Sequence, residues 1–124
     1  YSRRFRDYPP LKTAALDRLV ADPKGLGRQQ ADIIIEAIFE DEKAKQKLFT
    51  ELESVAKPDA LLASNTSSIP LEKIASALKD KSRLVGLHFF NPVAKMPLVE
   101  VVRSASSHED AMKKAKAFCR YIEK

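Results

Sequence analysis

Three short apolar runs separated by segments of helical spacing limit this chain to very few architectures. Residues 31–37, ADIIIEA, are rich in β-branched isoleucine and suit a central strand. Residues 60–63 read as a second, short strand, and residues 84–88 as a third, stopped by the strong turn signal Asn91-Pro92. Between the first two, residues 41–55 align Ala44, Leu48, Leu52 and Val55 on one helix face. Lysines and glutamates take the other face, and Lys57-Pro58-Asp59 is the stop. Between the second and third, Ser68 or a near neighbour is the expected cap of a helix with Pro70 in its first turn, and Leu71, Ile74, Ala75 and Leu78 face inward. Strand, helix, strand, helix, strand with short connections is the pattern of right-handed parallel βαβ units. The expected fold is therefore α/β, a partial doubly wound, Rossmann-like parallel sheet flanked by helices.

The flanking segments extend this pattern. Residues 10–20 suit a short helix running into a strand around residues 18–21, followed by a DPKGLG loop. After the NPVAKMP loop, residues 98–102 form a further strand, and Ser107 with Asp110 three positions on makes a capping-box-like start to a closing helix. A dinucleotide-binding sheet normally opens with a glycine-rich turn whose backbone N–H groups and helix dipole hold a pyrophosphate. With three glycines in all, the one superficial match is Gly25-Leu-Gly27-Arg-Gln-Gln. It leads into a strand instead of opening a helix, so it reads as a decoy.

Composition narrows the function classes. A chain of 124 residues fits one domain with a modest core, and no apolar run approaches the twenty or so residues of a membrane span. The absence of an apolar leader argues against secretion. The single cysteine, Cys119, has no internal disulfide partner and lies on an amphipathic helix, where packing is its expected role. The net charge of +5 is split between YSRRFRD at one end and KKAKAFCRYIEK at the other. It therefore reads as solvated helix faces, and no nucleic-acid partner is expected.

The chemistry concentrates in residues 84–103, LVGLHFFNPVAKMPLVEVVR. His88 falls where a strand hands over to a loop, and in open α/β sheets that edge is where ligands bind. On the local pattern alone, a half-buried structural histidine competes evenly with a catalytic one. Twelve positions on, alternation puts Glu100 on the same face as Leu98 and Val102, where it needs a partner. No metal site is expected.

Taken together, IIIEAIFEDEKAKQKLF, ASNTSSIPLEKIASAL and LVGLHFFNPVAKMPLVEVV closely resemble consecutive segments of the NAD-binding domain of L-3-hydroxyacyl-CoA dehydrogenase. The wording is most similar to the version in multifunctional fatty-acid oxidation enzymes, where it is fused to an enoyl-CoA hydratase. The resemblance covers about residues 15–124 and is strongest over 31–103. The family's first strand, its glycine loop, the ribose-binding acid after its second strand and its helical C-terminal domain have no counterpart in the sequence. The chain is therefore expected to be an internal fragment, with residues 1–124 forming one partial domain.

The resemblance implies roles residue by residue. His88 becomes the base that takes the 3-hydroxyl proton as hydride leaves C3 for NAD, and Glu100 its orienting partner. Ser67 matches the serine that contacts the substrate oxygen and the nicotinamide region. Without the family, the whole SNTSS turn would read as a capped loop. Asn91 matches an amide beside the nicotinamide, Glu40 and Lys45 match cofactor-side positions, and Ala37 and Ile38 would approach the cofactor through backbone. By sequence alone Lys45 is one lysine on a solvated helix face. The implied activity is NAD-dependent oxidation of L-3-hydroxyacyl-CoA to 3-ketoacyl-CoA by the parent protein, with the fragment alone inactive. The resemblance also leaves room for a thiolase subunit as partner and for a homodimer. The compartment it implies is the cytoplasm of a bacterium, or a mitochondrion or peroxisome of a eukaryote. The alternative reading is a non-catalytic α/β folding or self-association unit with a bare sheet edge.

Overall fold

The computed structural model describes residues 9–124, with side chains from residue 13 onward. The basic run at residues 1–7 lies outside the described residues. Helix α1 (Pro9–Asp17) is followed by irregular backbone and a 3₁₀ turn at Leu26–Gln29 that delivers the chain into β1 (Ile33–Glu36). The strand expected around residues 18–21 does not form. Gly25 takes a left-handed conformation (φ 67°), and the Asp22 carboxylate accepts from the N–H groups of Leu26 (2.9 Å) and Gly27 (2.7 Å). The GLGRQQ segment is thus a self-contained turn feeding a strand.

From there the chain alternates: α2 (Glu42–Val55), β2 (Leu61–Ser64), α3 (Leu71–Ala75), β3 (Leu84–Phe89), β4 (Val99–Val102) and α4 (Glu109–Tyr121). The sheet order is β1-β2-β3-β4, with β1, β2 and β3 parallel. β4 departs from the all-parallel expectation and runs antiparallel to β3. The cause is connection length: residues 90–98 are too few for the dozen-residue crossover that a parallel neighbour needs. Asn91-Pro92 in this connection is a cis peptide bond.

Both faces of the sheet are covered. Leu62 and Leu84 pack with Phe49 and Leu52 of α2 and with Ile74, Ala75 and Leu78 on one side. Leu61, Ala63, Val85 and Leu87 pack with Ala111, Met112, Ala115 and Cys119 of α4 on the other. β2 is buried along its whole length, which accounts for its continuous LLA run. Cys119 sits inside the α4 core, and burial pushes its thiol pKa up, so it is a packing residue.

Three local expectations are corrected. The inner face of α2 is Lys45, Phe49 and Leu52, with Ala44, Leu48 and Val55 only half-buried. Its N-cap is Asp41, whose side chain accepts from the Ala44 N–H at 2.8 Å, a contact that stabilises by about 1 kcal/mol. Ser68 does not cap α3, whose flanking residue is Pro70 without a side-chain cap bond. Nor does Ser107 cap α4: the cap is His108, which accepts from the Asp110 N–H, while the buried Ser107 hydroxyl donates to the Leu84 carbonyl at 2.6 Å.

Gly86 is required where β3, β4 and α3 meet. A Cβ there would stand 2.8 Å from the Val102 Cβ and 3.2 Å from Leu71 Cδ1. Gly86→Ala is expected to destabilise the protein by about 1–3 kcal/mol, since either the β3–β4 pairing or Leu71 must shift. A lower urea midpoint with an unchanged slope is the expected observation, and an unchanged midpoint would refute the packing argument.

Candidate active site

The candidate residues collect at the C-terminal edge of the parallel strands, where β1, β2 and β3 hand over to their loops. His88 on β3 faces Glu100 on β4 directly across the antiparallel pair. The two share the face that carries Gly86 and Val102, as period-two alternation requires. His88 Nδ1 lies 3.4 Å from Glu100 Oε2, at the long end of hydrogen-bonding distance. The imidazole is partly sheltered, the carboxylate more open, and the Phe90 ring leans on the imidazole with centroids 4.7 Å apart. With Nδ1 turned to the carboxylate, Nε2 is the nitrogen available to a ligand.

The pair borders a cleft of about 300 Å³. Its opposite wall is the SNTSS turn after β2, with Thr66, Ser67 and Ser68, and Gly86 is part of its lining. Asn65 fixes this turn to the sheet by accepting the Phe89 N–H at 2.8 Å, which ties the end of β2 to the end of β3 beside His88. Thus His88, Glu100 and Ser67 share one cavity. Asn91 is exposed at the start of the loop beyond β3.

Beneath the β1 end lies a charge network that sequence reasoning missed. Glu36, the last residue of β1, is fully buried and accepts from Lys45 Nζ (2.5 Å), the Ile38 N–H (2.7 Å) and the Ser64 hydroxyl (2.6 Å). Lys45 is 1% exposed, which overturns its reading as a solvated lysine. Its three N–H donors are matched by Glu36, the Ile38 carbonyl (3.1 Å) and Glu40 (3.1 Å). A glutamate inside the IIIE run was the available signal, because a buried carboxylate demands a cation.

Glu40 completes the connection. Its Oε2 accepts from the Thr66 (2.9 Å) and Ser68 (2.8 Å) hydroxyls, and from the N–H groups of Ser67 (3.4 Å) and Ser68 (3.3 Å). Burial pushes its carboxyl up, but the Ser68 and Thr66 hydroxyls and the Lys45 ammonium outweigh that and hold it at about 2. A folded pKa below the ordinary 4.5 contributes stability that is present above pH 4.5 and lost as pH falls through about 2. Glu40→Gln is therefore expected to flatten the acid limb of the stability curve between those pH values. Urea unfolding from pH 6 to pH 2 measures it, and an unaltered limb would contradict the contacts.

Helices on both faces of a mostly parallel sheet, with a histidine–carboxylate pair at the ligand edge, define a Rossmann-like ligand-binding domain. The comparisons make the class specific. The family described as 3-hydroxyacyl-CoA dehydrogenase, NAD binding domain, matches residues 12–124, and the chain belongs to it. A 3-hydroxybutyryl-CoA dehydrogenase of Mycobacterium tuberculosis is 52% identical over 91 residues, covering 73% of this chain and 32% of that protein. A fatty acid oxidation complex subunit alpha of Vibrio cholerae is 41% identical over 99 residues, covering 80% of this chain and 14% of that protein. The crystal structure of (S)-3-hydroxybutyryl-CoA dehydrogenase from Ralstonia eutropha superposes with a TM-score of 0.93 at 29% identity, over 99% of this chain and 44% of that one. The chain thus spans about a third or less of the length of these curated relatives. Among the described residues no helix is long and apolar enough to cross a membrane.

Proposed function

We propose that the chain acts as one domain of an NAD-dependent dehydrogenase that oxidises L-3-hydroxyacyl-CoA to 3-ketoacyl-CoA in fatty-acid oxidation. The observation that carries this reading is the convergence of His88, Glu100 and Ser67 on one cleft. His88 Nε2 takes the proton from the 3-hydroxyl. Glu100, facing Nδ1, fixes the tautomer and stabilises the imidazolium. Ser67 hydrogen-bonds the substrate oxygen as its bond order to C3 rises. NAD, when bound, supplies the acceptor for the hydride leaving C3.

The β1 end suits such a cofactor. Ala37 and Ile38 present a small apolar surface, and both backbone groups of Ile38 are tied down, the N–H by Glu36 and the carbonyl by Lys45. Lys45 serves this side from beneath, by fixing Ile38 and Glu40, and Asn91 serves it from the loop after β3. The proposed parent is a multifunctional bacterial protein of the cytoplasm, homodimeric and paired with a thiolase subunit; a relative named fatty acid oxidation complex subunit alpha supports membership of a complex.

The test is an NADH-formation assay of the gene product carrying this chain, with NAD and 3-hydroxybutyryl-CoA. Turnover that disappears when either reagent is withheld is expected. No NADH with acyl chains from four to sixteen carbons would refute the proposal.

A further inference from the structure

The SNTSS turn sets three consecutive hydroxyl-bearing residues, Thr66, Ser67 and Ser68, along the cleft, yet the chemistry above uses one. Their hydrogen bonds distinguish them. Thr66 and Ser68 both donate to the same oxygen of Glu40, a residue 26 and 28 positions away on the loop after β1. The backbone N–H groups of Ser67 and Ser68 point to that oxygen as well. Thr66 Oγ1 also accepts from the Ile69 N–H at 3.0 Å, so its proton and one of its lone pairs are engaged. The Ser67 hydroxyl is the one that Glu40 does not hold, and Ser67 lines the cleft with His88.

Glu40 is itself held. Its other oxygen lies 3.1 Å from the Lys45 ammonium, which is buried against Glu36. A carboxylate makes stronger hydrogen bonds than a neutral acceptor, and one anchored through a buried lysine to the sheet gives the turn a fixed reference. We propose that Glu40 is a positioning residue, whose carboxylate accepts the hydroxyl hydrogen bonds of Thr66 and Ser68 and fixes the turn, so that Ser67 is the residue whose hydroxyl serves the substrate oxygen beside His88. This rests on the dehydrogenase reading and adds to the cofactor-side role of Glu40 a function on the substrate side. It also links the two loops, because the segment that receives the cofactor and the turn that meets the substrate share one carboxylate. The charge is constant over the working range, as the carboxyl titrates near 2.

The test is a double-mutant cycle in the gene product carrying this chain, assayed with NAD and 3-hydroxybutyryl-CoA. Glu40→Gln keeps the shape but has one acceptor oxygen, so it serves the turn or Lys45 and not both. It is expected to lower kcat about 10- to 100-fold, the effect of misplacing a reacting group by roughly 1 Å, with the KM for NAD changed less than about threefold. In a Ser67→Ala background the same change is expected to cost less than about threefold, because Glu40 acts through Ser67. The shape of the kcat–pH profile stays the same. Ser68→Ala, which removes one donor from the turn side, lowers kcat in the same direction and covers the case in which Glu40→Gln fails to fold. Hydrogen exchange at the Ser67 and Ser68 amides is expected to speed up in Glu40→Gln.

Full loss from Glu40→Gln in the Ser67→Ala background, or an effect confined to the KM for NAD, overturns the proposal and leaves Glu40 as a cofactor contact. An active wild type whose Glu40→Gln variant matches it in exchange and turnover overturns the positioning role alone. A wild type that makes no NADH overturns the dehydrogenase reading and the Ser67 role with it.

Discussion

His88→Gln in the gene product carrying this chain is expected to lower kcat by about 10²- to 10⁴-fold while NAD still binds, because general-base catalysis by a positioned side chain contributes on that order. Glutamine is close to imidazole in reach and keeps polar atoms, so the cleft stays intact, but its amide does not take up a proton at neutral pH. Glu100→Gln is expected to cost less. Its amide oxygen can still meet Nδ1–H across the strand pair, so orientation is retained in part, while the negative charge that favours the imidazolium is gone. The open side of Glu100 points the same way, since a solvent-facing carboxylate acts on its partner through a high effective dielectric. The KM for the acyl-CoA should move little in either variant. Stopped-flow NADH absorbance with calorimetric titration of NAD checks both halves of this expectation. Wild-type turnover in His88→Gln would remove the histidine from the chemistry.

Much of the architecture was legible because it rests on short-range pattern. Helical spacing in 41–55 and the β-branched IIIE run place α2 and β1 without reference to the rest of the chain, and the run of strands and helices implies βαβ handedness. The His88–Glu100 relation was legible for a related reason. A twelve-residue separation with a turn between puts the two near one another, and alternation puts both side chains on one face. The direction of β4 was written in the length of its connection, which the strand pattern by itself does not report.

What could not be read locally is what depends on distant partners. Ser68 and Ser107 have the sequence dress of helix caps, yet each is drawn into a longer-range bond, Ser68 to Glu40 and Ser107 to the Leu84 carbonyl. A hydroxyl that can cap a helix can equally bridge two loops, and packing decides between them. Lys45 is the clearest case. A periodicity argument assigns lysines to the solvated face of α2 and the stripe through Ala44 and Leu48 to the inner face. The helix is instead rotated so that Lys45 meets Glu36, a pairing across nine residues that no local rule contains.

That pairing makes Lys45→Met the substitution with the largest expected effect on stability. Methionine fills the volume of the lysine stem and packs beside Phe49 on the inner face of α2, so the loss is one of charge and hydrogen bonds and not of bulk. Glu36 is then left with the Ser64 hydroxyl and the Ile38 N–H but no cation, inside a site from which water is excluded. Removing one partner of a buried ion pair costs about 3–5 kcal/mol, mostly as the penalty of the uncompensated charge that remains. The double variant Glu36→Gln/Lys45→Met removes that charge as well, and is expected to recover more than half of the loss, since an apolar or neutral replacement of a whole buried pair is frequently close to neutral. The two outcomes separate a buried charge from a mere packing defect: a packing defect would leave the double variant no more stable than the single one. Urea unfolding of the three proteins at pH 7 gives the comparison, and a Lys45→Met midpoint equal to that of wild type would show that the ammonium is not the group that neutralises Glu36.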